Sequence, residues 1–248
     1  MTVEKWTIMG SWPFGATFAR GEACSGPPRR IRLLDPLNQQ GPSPQLLPEN
    51  RGRPCPGCGA PVLMVRAEPD EVERELAAGK LCCPTCDGEL RPWSFARRRQ
   101  LRGREGPVPL RPRRSRCRHC GITHVLLPVL ALLRRRDVVE VIGSALVGKA
   151  AGVGHRRLAT QLNLPEETVR GWLRRFTARA TEIREDFTRL AHRLGADLSA
   201  VLPRASPVAD AVEAIGVAAQ AAAERFGPMP VWHFAAGASA GRLLANTS

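Results

Sequence analysis

Apolar residues recur about every 3.6 positions through most of the second half of the chain, the spacing that places them on one face of an α-helix. The pattern predicts five helices, over residues 137–151, 155–162, 166–179, 182–194 and 208–226. Pro203 and Pro207 mark a linker before the last of these helices, and Gly227 and Pro228 end it. The tail over 232–248 is only weakly patterned, so no element is predicted there.

The first part of the chain lacks this period. Residues 1–63 are rich in Pro, Gly, Gln and Asn, which predicts an irregular extension with no fold of its own. Regular patterning begins at Met64, and Pro69 leads a short predicted helix that ends near Gly79. The abrupt change prompts the hypothesis that translation starts at Met64 and that residues 1–63 are not translated.

Cysteine spacing is the first chemical signal. Six of the eight cysteines form three Cys-x-x-Cys pairs, namely Cys55/Cys58, Cys83/Cys86 and Cys117/Cys120. In a reducing cytoplasm such pairs are more typical of a metal site than of a disulfide framework. Two pairs at the ends of paired strands bring four sulfur ligands to one point, which suits the tetrahedral coordination of Zn²⁺.

The preferred ligand set combines the second and third pairs: Cys83, Cys86, Cys117 and Cys120. Thirty residues separate these two pairs, and Gly103 and Gly106 mark the tip of a hairpin that absorbs this length. Combining the first and second pairs instead encloses 24 residues, nearer the usual spacing of about 15 to 20. That alternative places the 69–79 helix inside a two-stranded ribbon, where it fits badly, and the role of the first pair stays open.

The patterns together predict a mostly α protein, a helix-turn-helix bundle with an N-terminal small β zinc ribbon. Four segments are predicted: an irregular extension (1–63), a zinc-ribbon domain with a short leading helix (64–128), a helix-turn-helix DNA-binding domain (134–202), and a C-terminal helix and tail (207–248). The zinc is expected to be structural, because four protein ligands leave no open position for water. The chain after Arg179 lacks carboxylate-bearing strands that hold catalytic metal ions. No catalytic residue is predicted, and the protein is not expected to be an enzyme.

Residues 153–179 carry the most specific binding motif. Apolar side chains at helical spacing give each of two helices a buried face, and Asn163 and Pro165 suit the turn between them. The polar face of the second helix supplies candidates for contacts with base edges in the major groove: Glu167, Thr168, Arg170, Gly171 and Arg174. Flanking arginines are expected to contact phosphate: Arg156, Arg157, Arg175 and Arg179.

The charge balance also favours a polyanionic partner. Lys+Arg 37 against Asp+Glu 23 gives a formal net charge of +14. Eleven Arg and one Glu lie between Arg91 and Arg118, a net charge of 11 − 1 = +10. Hairpin arginines are therefore expected to contact phosphate and to make binding salt-dependent: Arg97, Arg98, Arg99, Arg113, Arg114 and Arg116. Aromatic residues make up only 5% of the chain, so base stacking is not expected to be the main binding mode.

These motifs resemble a known group of proteins. The cysteine pairs, the arginine-rich hairpin, CRHCGITHVLLP (117–128) and LATQLNLPEETVRGWLRRF (158–176) together look like an actinobacterial-type family of uncharacterised helix-turn-helix proteins associated with transposases and mobile elements. The resemblance covers about residues 64–244, and the cysteine module also resembles the N-terminal zinc ribbon of some insertion-sequence transposases. It implies zinc, DNA and a mobile-element context.

The sequence therefore predicts a sequence-specific protein that binds double-stranded DNA and takes part in transposition without a catalytic domain of its own. A separate transposase or recombinase is the expected protein partner. The alternatives are a transcriptional regulator and a zinc-ribbon adaptor that docks another protein. No stretch reaches the roughly 20 apolar residues of a membrane-spanning helix, so no membrane partner is expected, and the predicted location is the cytoplasm, at the nucleoid.

Overall fold

The computed structural model of the chain describes residues 61–196 and 204–245. The sequence predictions for 1–60, including those on Cys55 and Cys58, lie outside the described residues. The same holds for most of the linker before Arg204.

The described residues contain six strands and seven helices. The strands are β1 (Val62–Val65), β2 (Leu90–Phe95), β3 (Arg99–Arg102), β4 (Pro107–Leu110), β5 (Arg113–Cys117) and β6 (Thr123–Pro128). The helices are α1 (Pro69–Ala77), α2 (Val139–Ala150), α3 (His155–Leu162), α4 (Glu166–Ala178), α5 (Ala180–Arg193), α6 (Pro207–Phe226) and α7 (Val231–Ala238). Among these helices, none combines the length and the apolar character needed to cross a membrane.

Four of the strands form one mixed sheet in the order β1-β6-β5-β2. β1 runs parallel to β6, whereas β5 is antiparallel to both β6 and β2. β3 and β4 form a separate two-stranded antiparallel sheet. This sheet is the outer part of the long hairpin whose inner part is β2 and β5, and its tip closes where the Gly103 N–H donates to the Gly106 carbonyl at 2.9 Å.

The sheet shows that the expected fold class is wrong. The described chain is a mixed α and β structure, not a mostly α bundle with a small two-stranded ribbon at its N-terminus. The physical reason is that β1 and β6 extend the β2–β5 pair into a four-stranded sheet, and α1 covers one face of it. β1 spans only four residues, directly after the Pro- and Gly-rich stretch, which is why periodicity did not reveal it.

A small core lies between α1 and the sheet. Val72 and Leu76 of α1 pack against buried strand residues that include Val65, Leu90 and Leu126. α1 is amphipathic and starts with Pro at a position that needs no N–H donor. The Arg66 Nε donates to the Glu75 carboxylate at 2.8 Å, which ties the chain after β1 to the helix.

A larger core joins the remaining helices to the sheet. Buried side chains of α2, α4, α5 and α6 make up most of it, and Met64, Leu101, Leu110 and Leu127 of the strands belong to the same cluster. The β3–β4 hairpin thus packs on the helices through Leu101 and Leu110. Next to them, the exposed Arg102 forms an ion pair with the buried Asp137 carboxylate, with 2.8 Å between Nε and Oδ1.

Up to residue 245, the C-terminal tail consists of α7 and a segment that packs on the larger core. Leu243 and Leu244 are buried in the larger core. The Gly241 carbonyl accepts a hydrogen bond from the Leu133 N–H at 3.0 Å, and the Leu244 carbonyl accepts one from the Arg135 guanidinium at 2.7 Å. The tail therefore fastens the segment between β6 and α2, although its sequence is weakly patterned.

Helix α2 packs so closely on α7 that a side chain at Gly143 has no room. A Cβ atom there would lie 2.2 Å from Cε2 and Nε1 of Trp232. We expect Gly143→Ala to lower the free energy of unfolding by about 1 to 3 kcal/mol, because the indole has to shift. Urea denaturation followed by circular dichroism measures the change.

Gly237→Ala is the matched control. This glycine lies in α7, and a Cβ there would make an ordinary contact at 3.6 Å with Val129. Because Ala has a higher helix propensity than Gly, stability should stay the same or rise by up to about 1 kcal/mol. Equal effects of the two substitutions would contradict the close packing at Gly143.

Candidate metal centre and basic surfaces

The four cysteines preferred from sequence lie together at one end of the four-stranded sheet. Their Sγ atoms all lie within 4.8 Å of one another. The Sγ–Sγ distance is 3.7 Å between Cys83 and Cys120 and 3.4 Å between Cys86 and Cys117. Four thiolates on one tetrahedral zinc ion, each about 2.3 Å from it, lie about 3.8 Å apart. The set therefore lies close enough to bind a metal ion, and the predicted grouping is confirmed.

The two cysteine pairs occupy turns of the same construction. In the first, the Asp87 N–H donates to the Cys83 carbonyl at 2.8 Å, and in the second the Gly121 N–H donates to the Cys117 carbonyl at 3.1 Å. Asp87 and Gly121 both have left-handed backbone, with φ of 57° and 73°. Because that conformation reverses the chain just after the second cysteine, each turn directs both of its thiols to the same side.

Backbone N–H groups surround the sulfur atoms. The His119 N–H donates to the Cys117 Sγ at 3.4 Å. Burial opposes ionisation of the Cys117 thiol, but the N–H groups of Cys120 and His119 and the neighbouring thiols outweigh it and lower its pKa. Burial, aided by the neighbouring thiols, raises the pKa of Cys120 to about 12. A bound cation would replace these protons, since metals bind the thiolate form.

His124 lies behind the cluster. It is fully buried on β6, and its Nε2 atom is 3.3 Å from the Cys83 Sγ. Burial lowers the pKa of His124, so the ring is neutral at pH 7 and can donate from Nε2 to the sulfur. His119 is exposed, and its hydrogen bond to the cluster comes from its backbone N–H. His119 lies in the turn between the cysteines, whereas His124 lies on β6. The alternation of buried and half-buried positions along β6 is the sequence signal that could have identified His124 as buried.

Gly88 leaves no space for a side chain beside the cluster. A Cβ atom there would lie 3.0 Å from the Cys117 Sγ, 3.3 Å from the Cys86 Sγ and 2.7 Å from the His119 Cβ. We expect Gly88→Ala to weaken metal binding on the order of 10-fold, the scale of perturbations next to a metal ligand. Titration with Co²⁺, followed by the thiolate-to-cobalt absorption band, measures the affinity.

Thr85→Ala serves as the control, because Thr85 is exposed within the Cys83–Cys86 turn. It should bind Co²⁺ with the affinity of the unaltered protein. If Gly88→Ala did the same, the cluster would be looser than its Sγ distances indicate.

Helices α3 and α4 form the second candidate site. The turn between them contains Asn163 in the left-handed conformation, with φ of 51° and ψ of 50°. The Leu164 N–H donates to the Ala159 carbonyl at 2.9 Å and closes this turn. Their buried faces meet through apolar residues that sequence spacing identified: Leu158, Ala159, Val169, Trp172, Leu173 and Phe176.

The candidate base-reading residues share one side of α4. Glu167, Arg170 and Arg174 are exposed, whereas Thr168 and Gly171 are half-buried. The Arg170 guanidinium forms an ion pair with Glu167, with 2.6 Å between Nη2 and Oε2. The flanking arginines differ in exposure.

Arg156 and Arg157 are exposed, and Arg156 lies 3.6 Å from the Glu166 carboxylate. Arg175 is half-buried and donates to the Gly171 carbonyl at 2.9 Å. Arg179 donates to the Arg242 carbonyl at 2.8 Å, so it ties α4 to the tail.

The hairpin arginines do not lie on one surface. Arg97 and Arg98 lie in the connection after β2, and Arg99 begins β3. Alternation along β5 separates the other three, because successive side chains point to opposite faces of a sheet. Arg113 is on the face covered by α1, with 2.7 Å between its Nε and the Glu73 carboxylate, whereas Arg114 and Arg116 are on the opposite face.

Comparisons of the chain with protein-family models, curated proteins and solved structures found no match.

Proposed function

We propose that this protein binds double-stranded DNA in a sequence-specific manner and that α4 enters the major groove. The observation that carries the proposal is the exposed face of α4, where Glu167, Arg170 and Arg174 project from a helix held by buried contacts with α3. A guanidinium group matches the two acceptors on a guanine edge, and an adjacent carboxylate can orient it. Exposed Arg156 and Arg157 on α3 supply phosphate contacts beside it.

The proposed cofactor is a structural Zn²⁺ ion held by Cys83, Cys86, Cys117 and Cys120. Zinc is favoured because four sulfur donors in this geometry match its usual structural sites. When bound, the ion would link the turn before β2 to the end of β5, and so hold the arginine-bearing strands in register. The motifs at 117–128 and 158–176 are what support a role in transposition.

Selection of bound DNA from a random-sequence pool tests the proposal, with zinc measured on the same sample. Enrichment of a motif and one zinc ion for each chain are the expected results. A zinc-loaded protein that enriches no sequence would be the zinc-ribbon adaptor of another protein instead, and a folded protein that is free of metal and enriches no sequence would contradict the proposal.

Arg170→Ala is expected to cost about 1 to 3 kcal/mol of binding free energy on the selected site, and much less on random duplex. Arg189→Ala is a matched control, because Arg189 forms the same kind of exposed i, i+3 pair, with Asp186 on α5. Fluorescence anisotropy with both duplexes measures the difference. An equal loss on the two duplexes would make Arg170 a phosphate contact.

Replacing Arg97, Arg98 and Arg99 with Ala is expected to flatten the dependence of log Kd on log salt concentration by about 1 to 3, since each lost phosphate contact removes about 0.9 from the slope. The control removes three exposed arginines of α5, Arg184, Arg189 and Arg193, and so the same charge. If both triple variants altered the slope equally, net charge rather than position would account for it.

A further inference from the structure

The four-stranded sheet has a second face that the described helices leave partly uncovered. Arg91 pairs with Arg116, Arg116 with Thr123, and Arg114 with Val125, so these side chains share the face opposite α1. Val62 of β1 continues the row, since it pairs with Val125. None of these residues is buried. We call this surface the outer face.

Trp93 is the most unusual residue of the outer face. It is 57% exposed, the largest value among the exposed large hydrophobic residues of the described chain. The register of β2 against β5 shifts between Pro92 and Ser94, so Trp93 occupies a bulge on the edge strand. The Arg116 guanidinium lies over the indole, 5.1 Å from its centroid, which places the ring on the outer face. Bulges often re-aim a side chain at a functional site.

A shallow cleft shares the outer face with the indole, since Val62 and Val125 line it. Its floor is apolar, formed by Val62, Val125, Leu127 and Leu133, and its volume is about 350 Å³. Three arginines line it, namely Arg97, Arg99 and Arg134, and no carboxylate does. The surface thus offers donors for an anion beside an apolar floor.

Acidic side chains near this surface are already engaged. Glu89 forms ion pairs with Arg91 at 3.2 Å and with Arg118 at 3.6 Å. Arg114 and Arg116 make no ion pair with a described carboxylate, although Arg116 donates to the Gly121 carbonyl at 3.2 Å. The outer face therefore keeps a positive potential next to an exposed aromatic ring.

We propose that the outer face binds a single strand of nucleic acid, with one base stacked on Trp93 and the adjacent phosphates held by Arg114, Arg116 and the arginines of the cleft. Every base has a π face, and an indole with neighbouring guanidinium groups provides both stacking and charge. The site goes beyond the proposed function, because the reading of base edges by α4 does not involve Trp93, although Arg97 and Arg99 of the cleft are also expected to contact duplex phosphates. It requires only one exposed indole, so the low aromatic content of the chain does not oppose it.

The test uses the full chain with three labelled probes: a 20-nucleotide oligo(dT), a 20-unit abasic strand with the same phosphates, and a 20-base-pair duplex. Fluorescence anisotropy measures each Kd. Trp93→Ala is expected to weaken oligo(dT) binding on the order of 10-fold and to leave the abasic strand and the duplex unchanged. Trp93→Phe should retain most of the affinity. An oligo(U) probe identifies whether RNA or DNA is the better strand.

Phe95→Ala is the matched control. Phe95 is 46% exposed on the same strand, but it pairs with Arg113 on the α1 side and lies 4.4 Å from the guanidinium groups of Arg111 and Arg113. Its loss should not change oligo(dT) binding. A decrease equal to that of Trp93→Ala would overturn the assignment to the outer face.

Two results on the unaltered protein would also overturn the proposal, whatever the folding of the variants. One is equal affinity for the abasic strand and for oligo(dT), which would mean that charge alone acts. The other is displacement of oligo(dT) by polyglutamate as effective as displacement by unlabelled oligo(dT), which would indicate an acidic peptide site. If the unaltered protein did not bind the duplex but bound oligo(dT) in a manner that depends on Trp93, the role of α4 would be refuted and the single-strand site would still be supported.

Discussion

Four sulfur atoms within 4.8 Å of one another would, with a metal ion bound to them, constrain the whole sheet. They come from the turn before β2 and from the end of β5 with the turn that follows it, and β5 pairs with both β2 and β6. The core between α1 and the sheet has nine buried residues among those described, and two of them are the cysteines 83 and 117. So small an apolar core supplies little stability on this side of the sheet, and a bound metal ion would add to it. In the proposed holoprotein, the ion therefore determines the register of the strands, and the register determines which arginines face outward.

The helical half follows from local sequence. Helix α3 has the predicted bounds, 155–162, and α4, α5 and α6 differ from prediction by one or two residues at their ends. Each of these helices has apolar residues at regular spacing, and a residue with left-handed or otherwise positive-φ backbone, Asn163, Gly195 or Gly227, follows α3, α5 and α6, so local physics suffices there. The cysteine grouping was also predictable, because a helix between two pairs argues against pairing them.

The fold class and the position of the strands could not be predicted in this way. β1 has four residues, and its place beside β6 is decided by a parallel pairing across more than fifty residues of chain. α7 is short and Ala-rich, and its close packing depends on Gly143 of α2 leaving room for Trp232. The outer face could not be predicted from composition either. The aromatic content of the sequence does not distinguish the buried Trp172 from the exposed Trp93.

The ion pair between Arg102 and Asp137 joins the strand-containing half of the chain to the helical half, so it limits where the chain can be divided into fragments. Asp137 lies just before α2 and is buried, and its guanidinium partner comes from the tip of the hairpin. A fragment that starts at residue 134 would keep the carboxylate and lose the cation, and it would expose the helix surface that Leu101 and Leu110 cover. The sheet and the helices are therefore one folding unit. Shortening the hairpin in a relative or an engineered variant would require a simultaneous change at residue 137.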